Sequence, residues 1–376
     1  MKYIFRVTRN FNYITLHNLK HNYSWLTSSY GLKRALTNAE RLVGYPPAFN
    51  SLKYLVDEEP ADILSIAKKL VGSGHPLLSF ARDMLSPSRD INLRLGGLWV
   101  LLISRAAGES SAIIKEEFVN GIHLKQRILA ETCEMINIAF LVHGCIINLD
   151  KLQYLETLSK KSLEFGNKLS VLGGDFLLAK ASVELAKLSN TYVVELISQA
   201  IGDSAEGNVL DDFCAEQICK WSVKEWEVHT FQTRGSLLAN SCKSALVLVG
   251  HQEQHMDAAF EFGRYLSVAV QCAEDVRAFQ NSKSILKPTN IIIILALLQN
   301  EKTKIYYNSY IKNMNIASSN EFKENIASLC DGIADKAKSL SGNYAKQCID
   351  IIQAFQHKDS IRAIEDILST YIIIED

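Results

Sequence analysis

Apolar residues recur every three to four positions along most of the chain, which is the spacing of a helix that buries one face. The clearest case is residues 322–340, where one face carries Phe322, Ile326, Leu329, Ile333, Ala337 and Leu340. Residues 345–356 continue the pattern, and strand-type alternation is rare. No Pro occurs between Pro87 and Pro288, and Pro is the residue that breaks helix interiors. The pattern therefore predicts an all-α protein.

Some stretches are apolar on every side and predict helices that never meet solvent. GGLWVLLIS at 96–104 and the stretch 135–147 are the clearest of them. A helix that is buried all round needs other helices outside it, so we expect a bundle with an inner and an outer layer. IIIILALL at 291–298 is equally apolar but too short to span a bilayer. No transmembrane segment is expected.

The polar stretches suggest where the chain turns. GDSAEGN at 202–208 and the polar residues around 308–320 predict loops. After residue 40 no segment rich in Gly, Ser or Pro divides the chain. We therefore predict a single helical domain over residues 38–376.

The first 37 residues differ from the rest in charge. The first acidic residue is Glu40. The preceding basic residues are Lys2, Arg6, Arg9, Lys20, Lys33 and Arg34. A basic, hydroxyl-rich and acid-free start is typical of a mitochondrial transit peptide. We predict that residues 1–37 are such a peptide or are disordered, and that the protein lies in the mitochondrial matrix; the alternative is a basic tail without function.

Composition excludes some partners. The 376 residues include 40 basic and 41 acidic ones, for a net charge of −1. This balance gives no electrostatic reason to expect nucleic acid as a partner. The eight cysteines form no CxxC pair and mostly fall in apolar helical patterns. Free buried thiols in a reducing compartment are expected rather than a zinc site or disulfides.

Several segments, in order, resemble the trans-polyprenyl diphosphate synthases across roughly residues 40–300. They are GHPLLSFARDML (74–85) with LRLGGLWVLLIS (93–104), ETCEMINIAFLVHGCIIN (131–148), FGNKLSVLGGDFLLAKA (165–181), and TFQTRGSLLANSCKSA (230–245) with FGRYLSVAVQCAEDVRAF (262–279). The GNK…GDFLLA and SLLANSCK segments are the most specific. The resemblance implies the isoprenoid-synthase type of all-α bundle.

The same resemblance implies two DDxxD motifs, which hold the Mg²⁺ ions that neutralise an allylic diphosphate. Carboxylates at i and i+4 share one helix face, so each motif aims two of them inward. At the first motif this chain has Gly144, Cys145 and Asn148, which carry no charge. Cys is also a poor ligand for a hard cation. The second motif is EDVRA at 274–278, where Glu274 and Asp275 are acids and Ala278 is not. We predict no catalytic residue, metal site or cofactor in this chain.

The positions that bind phosphate in the family have also lost most of their basic residues. The segment NLRLGG at 92–97 keeps only Arg94 as a basic residue, and Thr233 and Arg234 replace the family's Lys-Thr pair. Together these losses imply a non-catalytic subunit of a heteromeric long-chain (decaprenyl- or solanesyl-type) synthase that makes the ubiquinone side chain. Mg²⁺ is then expected in a catalytic partner subunit, within a heterodimer or heterotetramer. This chain would serve the partner's assembly, stability or chain-length control.

The resemblance also places the partner contact in residues 166–181. The residues expected there are Gly166, Asn167, Asp175 and Phe176. Two other functions stay open. One is an active prenyltransferase with a rearranged metal site built on Glu274 and Asp275. The other is a free-standing protein that binds prenyl lipids.

Two features have an ordinary structural interpretation. His251 and His255 in HQEQH have a spacing that can bind zinc. Without the HExxH order or a third ligand, an exposed polar turn is favoured. His143 is interpreted as a packed helix residue rather than a residual ligand.

Overall fold

The computed structural model describes residues 30–44, 75–77, 91–110, 118–149, 157–213, 217–312 and 316–372. In chain order the helices are α1 Tyr30–Val43, α2 Ile91–Ala107, α3 Leu124–His143, α4 Thr157–Lys187, α5 Thr191–Phe213, α6 Val223–Thr230, α7 Ser236–Val247, α8 Glu253–Gln280, α9 Ile291–Gln299, α10 Glu301–Lys312, α11 Ile316–Leu329, α12 Ile333–Ile352 and α13 Lys358–Tyr371. A 3-10 turn at Ile218–Lys220 precedes α6, and a π-helical turn at Phe231–Gly235 joins α6 to α7. The predicted all-α class is confirmed.

The bundle is layered around α8, which packs along both α7 and α12. Beside this group, α3 packs between α2 and α4. Residues 98–103 of α2 and residues 291–294 of α9 are all buried. Both stretches are apolar on every side, and their burial confirms the inner layer. The prediction that 135–147 is a helix buried on every side was wrong at its end, because α3 stops at His143 and both Gly144 and Ile146 are exposed. Among the described residues, no helix has the length and apolarity needed to cross a bilayer.

The loop predicted at residues 202–208 was wrong, because this segment lies inside α5. Gly207 serves packing rather than a turn: a Cβ there would lie 2.7 Å from the Thr233 side chain. The stretch around 308–320 is also mostly helical, in α10 and α11, with residues 313–315 outside the described part. Its helices are held by apolar contacts such as the stacked rings of Tyr310 and Phe322, 4.6 Å apart.

A short antiparallel hairpin precedes α3. Its strands, β1 Phe118–Val119 and β2 Ile122–His123, pair directly across a two-residue turn. Asn120 and Gly121 both have positive φ, 55° and 72°. An Asn-Gly pair suits such a turn because both residues tolerate left-handed backbone. His123 then caps α3 by accepting a hydrogen bond from the Lys125 amide.

Helix α1 crosses the predicted boundary between residues 37 and 38. It packs against α13 and α2. Leu32 and Leu36 are buried on the same face as Val43. Arg105 donates a hydrogen bond to the Leu42 carbonyl, and Arg127 donates one to Val43 at 3.0 Å. The packed part of the chain therefore includes residues 30–37 of the predicted transit peptide, and residues 1–29 of that prediction lie outside the described residues.

Two truncations test the contribution of α1. Removing residues 1–37 deletes the buried side chains of Leu32, Ala35 and Leu36 and should lower the free energy of unfolding by about 3–5 kcal/mol. Removing residues 1–29 leaves α1 whole and should change it little. Urea unfolding of both proteins measures the difference. Equal midpoints for the two truncations would contradict the packing of α1.

Candidate functional site

The first motif position lies on a turn, not on a helix. Helix α3 ends at His143, and the Gly144 amide caps it by donating to the Phe140 carbonyl at 2.9 Å. Cys145 is fully buried, and its thiol donates to the Leu141 carbonyl. Burial raises the pKa of this thiol to about 12. Cys145 is therefore neutral near pH 7. Gly144 is exposed and the Asn148 amide is half-buried, so residues 144–148 present no anionic ligand.

At the second motif, Asp275 lies on α8, and its carboxylate forms hydrogen bonds that hold neighbouring helices together. It is buried, and its carboxylate accepts hydrogen bonds from the Ile291 amide and from Gln271 Nε2, both at 2.7 Å. Its main-chain carbonyl accepts a third from the side chain of Asn290 at 3.1 Å. These bonds fasten the first turn of α9 to α8. Burial raises the pKa of Asp275 to about 7.

Glu274, the other acid of this motif, faces a cation from the protein itself. Its carboxylate lies 3.5 Å from the Arg234 guanidinium. Arg234 belongs to the π-helical turn Phe231–Gly235, which packs close to α8: a Cβ on Gly235 would lie 2.4 Å from Ser267 Oγ. Ala278 adds no ligand. Within the described part of the chain, no three His, Cys, Asp or Glu side chains are grouped so that they could hold a metal ion.

A buried carboxyl group contacts the segment 92–97, where the resemblance expects basic residues that bind phosphate. Glu134 of α3 accepts a hydrogen bond from the Gly97 amide of α2 at 2.9 Å. A Cβ on Gly96 would lie only 3.0 Å from the same carboxyl oxygen. Burial raises the pKa of Glu134 to about 8. The side chain of Arg94 lies outside the described part. Glu134 was not predicted as a site residue, although an acid directly before the apolar stretch 135–147 was a usable signal.

The stability of the protein should therefore depend on pH through Glu134. Its pKa is raised from 4.5 to about 8 on folding, so this contribution to stability is complete below pH 4.5 and is lost as pH rises through 8. We expect unfolding free energy to fall by about 2–4 kcal/mol between pH 5 and pH 8.5. The Glu134→Gln variant, which cannot ionise, should show a flatter profile. Glu301→Gln, at a side chain 82% exposed, is the control; a Glu134→Gln profile as steep as the control's would refute the role.

The four residues predicted at a partner contact lie on different faces of α4. Gly166 is buried and Asn167 is half-buried against this chain's own residues, whereas Asp175 and Phe176 are exposed. Phe176 belongs to an apolar stripe that points to solvent. Its large members are Leu172, Phe176 and Val183, which are 55%, 44% and 52% exposed. Their spacings of four and seven residues place them on one helix face.

His143 joins the end of α3 to α4. Its Nε2 lies 3.2 Å from the Asp175 carboxylate and 3.3 Å from the Val171 carbonyl. Gly174 makes this possible, since a Cβ there would lie 2.2 Å from the imidazole ring. The contact fixes the position of Asp175 beside the apolar stripe.

The two histidines of HQEQH pack edge to face against each other, with ring centroids 6.0 Å apart, and each also contacts another residue. His251 forms a hydrogen bond with the Gly108 carbonyl at 3.2 Å. His255 packs its ring against Phe355, with centroids 6.1 Å apart. Burial lowers the pKa of His251, as expected for a packed neutral imidazole.

Comparison with known proteins gives matches over most of the chain. The family model described as polyprenyl synthetase matches residues 94–327. The human protein named all trans-polyprenyl-diphosphate synthase PDSS2 is 39% identical over 260 residues, covering 67% of this chain and 64% of the human one. Its mouse counterpart is 40% identical over 261 residues with the same coverage. The match thus spans less than two thirds of the length of these relatives. A Yarrowia lipolytica protein named probable hexaprenyl pyrophosphate synthase, mitochondrial, is 35% identical over 187 residues, which are 47% of this chain and 40% of that protein.

Solved structures share the fold. A decaprenyl diphosphate synthase from Rhodobacter capsulatus superposes with a TM-score of 0.63 at 18% identity, covering 89% of this chain and 98% of that one. A polyprenyl synthase from Caulobacter crescentus, complexed with calcium and isoprenyl diphosphate, gives 0.61 at 19% identity, covering 86% and 97%. At these identities the likeness establishes the helical architecture alone.

Proposed function

Because the chain belongs to the polyprenyl synthetase family, we propose that it is a catalytically silent subunit that pairs with an active all-trans polyprenyl diphosphate synthase subunit. The observation that carries this proposal is the state of the two motif positions. One is an uncharged turn with a buried thiol. The other consists of one acid paired with Arg234 and one acid bonded to the backbone of α9.

Ionising an allylic diphosphate requires strong neutralisation of the leaving group, which Mg²⁺ supplies when several oxygen ligands hold it. The residues here do not fit that ion. Cys145 is a buried neutral thiol. Asp275 is buried, and each of its carboxylate oxygens already accepts a hydrogen bond from the protein. No catalytic step is therefore assigned to this chain.

The exposed stripe of α4 supports a protein partner. Large apolar side chains that share one exposed helix face favour burial in a subunit contact. The stripe lies in the segment where the resemblance places the contact between subunits. A catalytic subunit of the same family is the proposed occupant, in a heterodimer or heterotetramer. In that complex this chain would support the partner's assembly and stability or the control of its product length.

The same proposal includes the location of the protein in the cell and the product of the complex. Residues 1–29, which precede α1, contain no acid and favour import into the mitochondrial matrix, and some relatives carry the word mitochondrial in their names. The product of the complex is proposed to be the polyprenyl diphosphate that supplies the side chain of ubiquinone. Mg²⁺ would be bound by the catalytic partner.

A test on the copurified pair assigns the chemistry to one subunit. Glu274→Gln in this chain should leave the rate of isopentenyl diphosphate incorporation unchanged. Replacing the first-motif aspartates of the catalytic partner should abolish it. A large loss of activity from Glu274→Gln with the complex intact would favour the rearranged metal site and reject the silent subunit.

A further inference from the structure

His75, far from α4 in sequence, sits directly on that helix. Its side chain is buried, with 1% of the residue exposed. Nδ1 accepts a hydrogen bond from the Leu77 amide at 3.1 Å. The ring proton must then be on Nε2, which donates to Asn167 Oδ1 at 3.1 Å. Both ring nitrogens are satisfied only when the imidazole is neutral and in this tautomer.

Asn167 carries the connection on to the turn after α3. Its Oδ1 also accepts a hydrogen bond from the Ile147 amide at 2.8 Å, and its Nδ2 donates to the Ile147 carbonyl at 2.6 Å. The side-chain amide of Asn167 thus forms hydrogen bonds with both the N–H and the C=O of Ile147. This pairing fixes the backbone of the turn where the first motif is expected.

Gly166 makes room for the histidine. A Cβ at this position would lie 2.4 Å from the His75 ring, closer than real contacts allow. Any side chain would push the ring off α4 and lengthen its bond to Asn167. Gly166 is itself buried and acts through the space that it leaves for the ring.

We propose that His75, Gly166 and Asn167 form a positioning clasp that holds the turn 144–148 rigidly against α4, so that the turn extends the partner-facing surface of the stripe. The turn is attached on both sides: Ile147 to Asn167, and His143 to Val171 and Asp175. Between these attachments Ile146 is 38% exposed.

The part of this inference that concerns the partner rests on the proposed function. The clasp itself does not. It also gives Gly166 and Asn167 a specific role in the predicted contact: they shape the surface from within this chain, while Ile146, Leu172 and Phe176 present it.

Amide hydrogen exchange of the full-length chain tests the clasp. In Asn167→Ala, the Ile147 amide loses its acceptor and should exchange about tenfold faster or more, while the amides of α8 keep their rates. His75→Phe keeps a planar but slightly larger ring and removes the hydrogen bonds, and should give a smaller acceleration at the same amide. Asn190→Ala is the matched control, because Asn190 accepts the Val193 amide at 3.1 Å at the start of α5; it should leave Ile147 unchanged. Unchanged exchange at Ile147 in Asn167→Ala, or equal acceleration throughout the chain, would overturn the clasp.

Capture of the coexpressed catalytic subunit tests the surface. Asn167→Ala should reduce the amount captured at least severalfold, and Asn190→Ala should not. Full capture by Asn167→Ala would overturn the role of the clasp in the contact. If the wild-type chain captures no subunit, the proposed function fails, and the exchange data still decide whether the clasp exists.

Discussion

Changing Phe176 to Asp should abolish copurification of the catalytic subunit. Phe176 is the central large side chain of the exposed apolar stripe on α4, and it is 44% exposed in the chain alone. A carboxylate placed there would be buried without a cation in the complex, and burying an unpaired charge is strongly unfavourable. Losing the aromatic contact as well should weaken binding by about 100-fold or more. The amount of catalytic subunit that follows a tagged copy of this chain through purification measures the effect.

A matched substitution separates the stripe from general surface damage. Ile305 on α10 is 71% exposed, and Ile305→Asp introduces the same charge far from α4 in sequence. It should leave copurification at the wild-type level. Because Phe176 already faces solvent, both variants should unfold at nearly the wild-type denaturant concentration. Normal copurification of Phe176→Asp would place the contact elsewhere.

Removing the carboxylate of Asp275 should destabilise the protein itself. Asp275→Ala deprives the Ile291 amide and the Gln271 side chain of a buried acceptor. Leaving buried donors unpaired should cost about 2–4 kcal/mol of unfolding free energy. Glu274→Ala, which removes the acid that faces the half-exposed Arg234 at 3.5 Å, should cost less, about 1 kcal/mol or below. Urea unfolding of both variants gives the comparison.

An isosteric variant shows whether the role is a hydrogen bond or a metal ligand. Asp275→Asn keeps one acceptor for Ile291, and the Gln271 amide can turn so that its Oε1, which lacks a partner among the described residues, accepts from the new side chain. Most of the stability should return. Unfolding of the wild-type chain should be the same with and without millimolar Mg²⁺. Stabilisation by Mg²⁺ that disappears in Asp275→Asn would show that this acid is a ligand.

The helical fold could be predicted from the sequence because a helix that buries one face repeats its apolar residues every three to four positions. This spacing does not mark every helix end. The apolar face predicted over residues 322–340 is real, yet the chain breaks there between α11 and α12. Gly332 has a left-handed φ of 65°, and the Asp-Gly pair at 331–332 was the overlooked signal. The period runs through the break because both helices bury their apolar residues in the same core.

The candidate site was only partly readable. Which charges are missing at Gly144, Cys145, Asn148 and Ala278 is a matter of residue identity, so the sequence shows it directly. What replaces them depends on contacts between distant segments. Asp275 meets Ile291 only because α9 folds back on α8, and His75 meets Asn167 across 92 positions. No local pattern encodes such pairs, and the glycines that permit them look like loop residues until their neighbours are known.

The most direct test of a silent subunit is a prenyltransferase assay on three samples: this chain alone, the catalytic subunit from the same source alone, and the two copurified after coexpression. Each receives Mg²⁺, an allylic diphosphate and labelled isopentenyl diphosphate. We expect no product from this chain alone and full activity from the copurified pair, above that of the catalytic subunit by itself. Mg²⁺-dependent product from this chain alone would contradict the account and direct the search for a metal site to Glu274 and Asp275.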